Sequence, residues 1–420
     1  MTQPTMIRKL ITTSCAAALL AAGSAVAGDY GKAVIDDKMP IEDPWTFCDI
    51  FDYGTLIERE TGFIREVSLN GRYHGQYISQ SKDVGGSDIG YNQWQHRRFR
   101  LGMNIGFANN ITLKTSADIS DGSGSGHGLT REHFFNGWDE FYIDWEPKGE
   151  YLQYVEIGKQ KQAITREYST SSRHILTVER SQIVNLTTDS KPWGITAGFK
   201  FFGMKHEFGA WIHGLDDNEP LGNWADFDSR GGFSYRGEVQ VCDTTSFHLD
   251  YAMNNNGGGN ADPQGSAGAV EANGFNHVVA LGTESEFGQF GLITDLIFGF
   301  NGGTGGRQNN AVLPDGYNTF GVVILPYYNI TEKLQFVTKY AYMSEGREQR
   351  TQRFGEGAPR FDNGRSRVED YHTFYAGLNY YFCDHNLKLM AGYEYATGDV
   401  IGSRDQVKGD TWMLAVRTYF

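Results

Sequence analysis

Proline is scarce, with 10 in 420 residues, and cysteine scarcer, with four. Past residue 27 the longest aliphatic runs are about four residues, such as Val322-Val323-Ile324-Leu325, where a membrane-crossing helix needs about 20. A helical membrane protein is thereby excluded. Positive charge is also short: 37 Lys and Arg stand against 51 Asp and Glu, a formal balance of −14. That balance repels phosphate backbones, so nucleic acid is excluded as a partner. The cysteines outside the N-terminal leader, Cys48, Cys242 and Cys383, allow at most one internal disulfide, which rules out a disulfide scaffold. A bond from Cys48 to one of the other two stays open. Their wide separation, without Cys-x-x-Cys partners, gives no metal site.

Glycine (53) and aromatics (27 Phe, 23 Tyr, 8 Trp) are abundant, which a disordered chain would not show. At the N-terminus, Arg8 and Lys9 precede an apolar stretch to Leu20, and Ala25-Val26-Ala27 forms a small-x-small cleavage site. Residues 1–27 thus read as a secretory signal peptide. Its removal takes two positive charges and moves the formal balance from −14 to −16.

Beyond residue 65 an alternation of period two recurs in sixteen segments of about ten residues. Short breaks such as Pro147-Lys148-Gly149 and Gly203 alternate with long ones at 79–94, 121–137, 160–192, 215–230, 255–274, 301–316, 345–370 and 397–410. Tight turns on one rim and long polar loops on the other describe an outer-membrane barrel. In 386–395, Leu387, Leu389 and Tyr393 oppose Lys388 and Glu394; in 96–107, Phe99, Leu101 and Met103 oppose His96, Arg98 and Arg100. Full charges at strand centre need water, so the polar face should line a wet lumen and the apolar face should meet lipid. Tyr73, Tyr251 and Tyr328 near strand ends suit interfacial girdles. The terminal Phe420 resembles the signal by which barrel-assembly machinery recognises its clients.

Several stretches resemble the phosphate-selective porin O and P family over most of 65–420. Leu69-Asn70-Gly71-Arg72-Tyr73 through Tyr77 is similar to the family's opening strand. Gly158, Lys161, Glu167, Thr170-Ser171-Ser172 and Glu179-Arg180-Ser181 follow its order and spacing, and so do Gly377-Leu378-Asn379-Tyr380-Tyr381 and Asn386 to Met390. Ala163-Ile164 stands where the family has Pro-Phe, and the arginine ladder of phosphate-selective members finds no residue-by-residue match. The resemblance implies a porin, a homotrimer and a passive channel. It does not carry phosphate selectivity across.

Selectivity chemistry is expected at loop 160–192, which follows the fifth segment and holds Lys161, Arg166, Arg173 and Arg180. Parity assigns a basic lumen wall of Arg72, Arg98, Arg100, Lys114, Lys333, Lys339, Lys388 and Arg417, and an acidic wall of Glu140, Asp144, Glu207, Asp250 and Asp295. Facing walls of opposite charge would set a transverse field; the competing reading is that these charges only pair across strands. No histidine sits in a Gly-x-Ser-x-Gly or His-Glu-x-x-His setting, so no catalytic residue and no cofactor is expected.

The expectation is an all-β, 16-stranded antiparallel transmembrane β-barrel over 65–420, with short periplasmic turns, long extracellular loops and an inward-folded constriction loop. Residues 28–64 form an N-terminal periplasmic segment. Its setting is the outer membrane of a Gram-negative-type cell, among lipid and lipopolysaccharide, passing small hydrophilic solutes or anions. A general or sugar-specific diffusion porin is the first alternative, and a non-conducting barrel (enzyme or adhesin) the second.

Overall fold

The computed structural model describes residues 46–52, 54–84, 87–119, 135, 137–188, 191–212, 231–255, 275–302, 317–347, 367–400 and 406–420. The expected signal peptide at 1–27, residues 28–45 and much of the long extracellular connections lie outside the described residues.

A short 3-10 helix, Phe47–Asp52, leads into β1 (Thr55–Glu58). The barrel follows: β2 (Ile64–Val84), β3 (Ser87–Phe107), β4 (Ile111–Asp118), β5 (Trp138–Trp145), β6 (Leu152–Lys159), β7 (Trp193–Phe201), β8 (Met204–Ile212) and β9 (Gly231–Cys242). It continues through β10 (Thr245–Asn255), β11 (Phe275–Phe287), β12 (Phe290–Gly302), β13 (Tyr317–Asn329), β14 (Leu334–Arg347), β15 (Arg367–Cys383), β16 (Leu387–Val400) and β17 (Gln406–Tyr419). Each strand pairs antiparallel with the next, and β17 returns to β2, so sixteen strands close on themselves. Closure removes the unpaired edges that lipid would penalise.

The seam is sealed at both levels. Tyr419 faces Arg72, and Phe420 and Gly71 exchange two backbone hydrogen bonds of 3.2 and 3.0 Å. The Phe420 ring lies where a Cβ on Gly71 would stand, 2.2 Å away, so glycine is required there. Below Phe420 the edge of β2 is taken by β1, Thr55 opposite Ser68. Cys48 bonds Cys383, with Cα atoms 5.3 Å apart, and ties this N-terminal segment to the periplasmic end of β15. The one disulfide that the cysteine count permits is therefore this one.

Strand length is uneven. β4 to β8 run eight or nine residues, just short of or at the ~9–11 that a bilayer needs, whereas β2 and β3 run 21 each. The expected connection at 79–94 is therefore largely strand: Val84 still faces Ser87, and β17 follows β2 out to Val407. The connection at 397–410 likewise shrinks, with Asp399 facing Gln406. Above the bilayer both faces of a strand meet water, so the period-two signal vanishes while the ladder persists.

The outer face is apolar, with Trp412 63% and Leu414 52% exposed, and neighbouring Met413, Ala415 and Arg417 turn inward. The interior is not uniformly wet. Ile164, Ile183, Val184 and Leu186 of loop 160–192 pack on inward Ala252, Val278, Ala280, Ile297, Val323 and Met343. Burying each such aliphatic side chain contributes about 1.5–3 kcal/mol, so the loop is seated by a small apolar core inside the barrel.

Candidate constriction site

Gly158 starts the inward turn. Its φ of +140° and a would-be Cβ 2.2 Å from the Phe141 carbonyl oxygen admit no side chain. The neck closes where the Gln160 N–H donates to the Pro192 carbonyl (3.1 Å). Inside, α1 (Arg166–Ser169) and α2 (Gln182–Thr187) shape the loop. Asp295 on β12 accepts from the backbone N–H of Arg166 (2.8 Å) and Glu167 (3.0 Å), satisfying the first donors of α1. Glu167 accepts in turn from the Ser181 N–H (3.0 Å) and from the Lys339 ammonium (3.1 Å).

The wall then takes up the loop's carbonyl groups one by one. Lys388 donates to Ile175 O (2.9 Å), Asn379 to Leu176 O (2.8 Å), Arg417 to Val178 O and Lys339 to Glu179 O (2.9 Å). Lys339, Lys388 and Arg417 are accordingly buried. The Tyr419 hydroxyl reaches Ser172 O at 2.9 Å.

Other charges are paired side chain to side chain. Arg100 meets Asp139 (2.7 Å) and Asp118 (2.8 Å), Lys114 meets Asp144 (2.8 Å), and Lys191 meets Asp139 and Glu140 (2.6 Å each). Arg236 grips Asp250 (2.7 Å), Arg166 pairs with Glu284, and Glu207 accepts from the Tyr154 hydroxyl. All five residues of the expected acidic wall thus have donors. Lys333, expected on the basic wall, lies exposed in the turn before β14, because the strand begins one residue later.

A different group remains. Arg72 donates to the Ser172 hydroxyl (2.7 Å), Arg98 contacts His74 Nδ1 (3.2 Å), and Arg173 stacks over the Tyr419 ring (5.2 Å). Among the described residues no carboxylate lies within 4 Å of these three guanidinium groups. Lys161 and Arg180 flank the Tyr168 ring at 4.6 and 5.5 Å and both donate to Thr170 O. Burial and the neighbouring Arg180 push the Lys161 ammonium well below its ordinary value. Burial would raise the Glu179 carboxyl, but the Arg97 and Arg98 guanidinium groups outweigh it and bring it to about 2.

Arg97 and Asp139 were not expected here. In each case a one-residue bulge turns an extra side chain inward: Arg97 meets Glu179 at 2.8 Å, and Asp139 meets Arg100 and Lys191. The first bulge also moves His96, expected on the lumen side, to the exposed outer face. The run His96-Arg97-Arg98 was the available signal, since three polar residues in a row break strict alternation.

Beneath the loop a cavity of about 730 Å³ opens between it and the wall, lined by Tyr327, Asn329, Gln335, Glu284 and His385 among others.

A family model described as phosphate-selective porin O and P matches residues 67–276. The chain belongs to this family. Among solved structures, this porin is similar to the outer-membrane channel DcaP of Acinetobacter baumannii, at 12% identity and a TM-score of 0.55 over 87% of this chain and 99% of that one. It also resembles an anion-selective porin from Comamonas acidovorans (12%, TM-score 0.52, 84% and 99%) and Salmonella typhi OmpF in complex with daunomycin (14%, 0.51, 84% and 98%). No curated protein sequence matches it. Family and fold together make the chain an outer-membrane channel, a β-barrel porin.

Proposed function

We propose that this porin passes small hydrophilic solutes passively and favours anions, phosphate among them. One observation carries the reading: each carboxylate of the acidic wall has a hydrogen-bond donor, while Arg72 and Arg173 meet at Tyr419 and Arg98 lies behind them against His74, with no carboxylate within 4 Å of the three guanidinium groups among the described residues. The field at the narrowing is therefore positive, and low-dielectric walls focus it on the passing ion. The Comamonas neighbour is itself described as anion-selective. Arg180, beside Tyr168, extends the positive edge.

A general or sugar-passing porin is the second reading. It is favoured by the cavity under the loop, where Asn329, Gln335, Tyr327 and Tyr381 offer amide and hydroxyl contacts of the kind neutral solutes use. Adding phosphate to chloride solution separates the two. The anion reading expects phosphate to depress chloride current in single channels, and the sugar reading expects neutral oligosaccharides to do so with phosphate inert. A barrel that conducts nothing would defeat both.

The chain is further proposed to be secreted on residues 1–27, to be recognised for assembly through Phe420, to form a homotrimer and to sit among lipopolysaccharide. No catalytic step is assigned to it.

A further inference from the structure

The outer face holds a regularity that conduction does not use. Tyr73 on β2, Tyr251 on β10 and Tyr340 on β14 each set their hydroxyl against Nδ1 of a histidine on the next strand. The partners are His96, His277 and His372, at 2.9, 2.9 and 3.0 Å. The register repeats. Tyr251 faces Val279 and Tyr340 faces Phe374, and the histidine lies two residues nearer the extracellular end in both cases. Tyr73 faces Phe99, and the bulge at Arg97 absorbs the extra residue, so His96 falls in the same place.

All three rings point to the lipid side. Their neighbours Gln95, Val278 and Thr373 are buried in the interior, whereas Trp94 and Phe374 on the same face as His96 and His372 are exposed. With the phenol donating to Nδ1, Nε2 carries the proton and is held facing away from the barrel. Among the described residues nothing accepts from it. Tyr342 and Tyr393 make the same diagonal reach to Asp370 and Asp410, so there the hydroxyl is satisfied and no outward N–H results.

The periplasmic side offers a contrast. There His206 contacts the Tyr235 hydroxyl at 3.0 Å, but its ring is 9% exposed and stacked 3.8 Å from Phe201, out of reach of lipid. Among the described residues, Tyr–His pairs with an accessible ring belong to the extracellular side alone.

A donor aimed at hydrocarbon is unfavourable, so the three rings belong at headgroup depth, where phosphate oxygens are the strongest acceptors. We infer that these Tyr–His pairs form an outer-leaflet band that binds the phosphates of the glycolipid around the barrel. This rests on the lipopolysaccharide setting proposed above and not on the anion preference of the bore.

The test is native mass spectrometry of the full detergent-purified porin with diphosphoryl lipid A, dephosphorylated lipid A and phosphatidylethanolamine. Wild type is expected to hold diphosphoryl lipid A about tenfold more tightly than either of the others, as charge-assisted bonds would give. The triple variant H96F/H277F/H372F should lose that preference while its single-channel conductance stays unchanged. Equal binding of both lipid A forms by wild type would overturn the inference without any variant. A triple variant that inserts and keeps the preference would overturn it too. Loss of anion preference in the bore, with lipid discrimination intact, would defeat the earlier reading and leave this one standing.

Discussion

Two sets of cations, one buried and one half-buried, sit within one lumen and do different work. On β14 to β17, Lys339, Lys388 and Arg417 give their donors to loop carbonyls and to Glu167, so their charge is spent on holding the loop. On β2, β3 and the loop itself, Arg72, Arg98 and Arg173 meet a hydroxyl, an imidazole and a ring face, and among the described residues none has a carboxylate within 4 Å. Both sets are basic, and every strand member points inward. What differs is whether a carbonyl or carboxylate stands opposite, and only the second set leaves a field for a solute to feel.

Breaking the first set should have the largest effect. Lys339→Met leaves Glu167 buried without its cation, a loss of about 3–5 kcal/mol, and the loop should detach from its seat. Noisy single-channel current and new protease cleavage within 160–192 would report it. The pair K339M/E167Q should recover most of the quiet current.

At the seam, Gly71→Val puts side-chain atoms where the Phe420 ring lies and should lower the yield of heat-modifiable barrel. The core of the comparison is sharpened by two adjacent arginines. Arg97→Ala removes a charged hydrogen bond to Glu179, about 1.5–3 kcal/mol, and should loosen the loop. Arg98→Ala should leave the loop docked, judged by the same cleavage assay, and reduce anion preference severalfold.

Acid should undo the loop late. The Glu179 carboxyl is lowered to about 2, so its stabilising share is complete above the ordinary carboxyl value of 4.5 and is lost as pH falls toward 2. Loop cleavage should therefore begin well below pH 4, and Glu179→Gln should remove that acid dependence. The smallest effect is expected from Cys48→Ser, which frees residues 46–58 for proteolysis while conductance stays as it was.

The sixteen strands were legible because lipid on one side and charge on the other enforce alternation at bilayer depth. Beyond the bilayer that contrast ends, which is why the β2–β3 extension read as a loop. The apolar run Val322 to Leu325 carried a message that alternation alone could not decode. Ile324 is 40% exposed to lipid, while Val323 and Leu325 are buried inward beside the loop's apolar cluster. Two apolar faces on one strand mean that something covers the inner one. Which basic residues would be anchors was not legible, because their partners are backbone carbonyls of a segment more than 150 residues away in sequence. The Arg97 and Asp139 bulges broke parity by a single residue each, and parity has no defence against that.

The most direct measurement is the zero-current potential of wild-type channels in a planar bilayer across a potassium chloride gradient. A potential of the sign set by chloride, shrinking toward zero in R72A/R98A with the loop still protease-resistant, is the predicted result. A potential of the sign set by potassium in wild type would contradict the account.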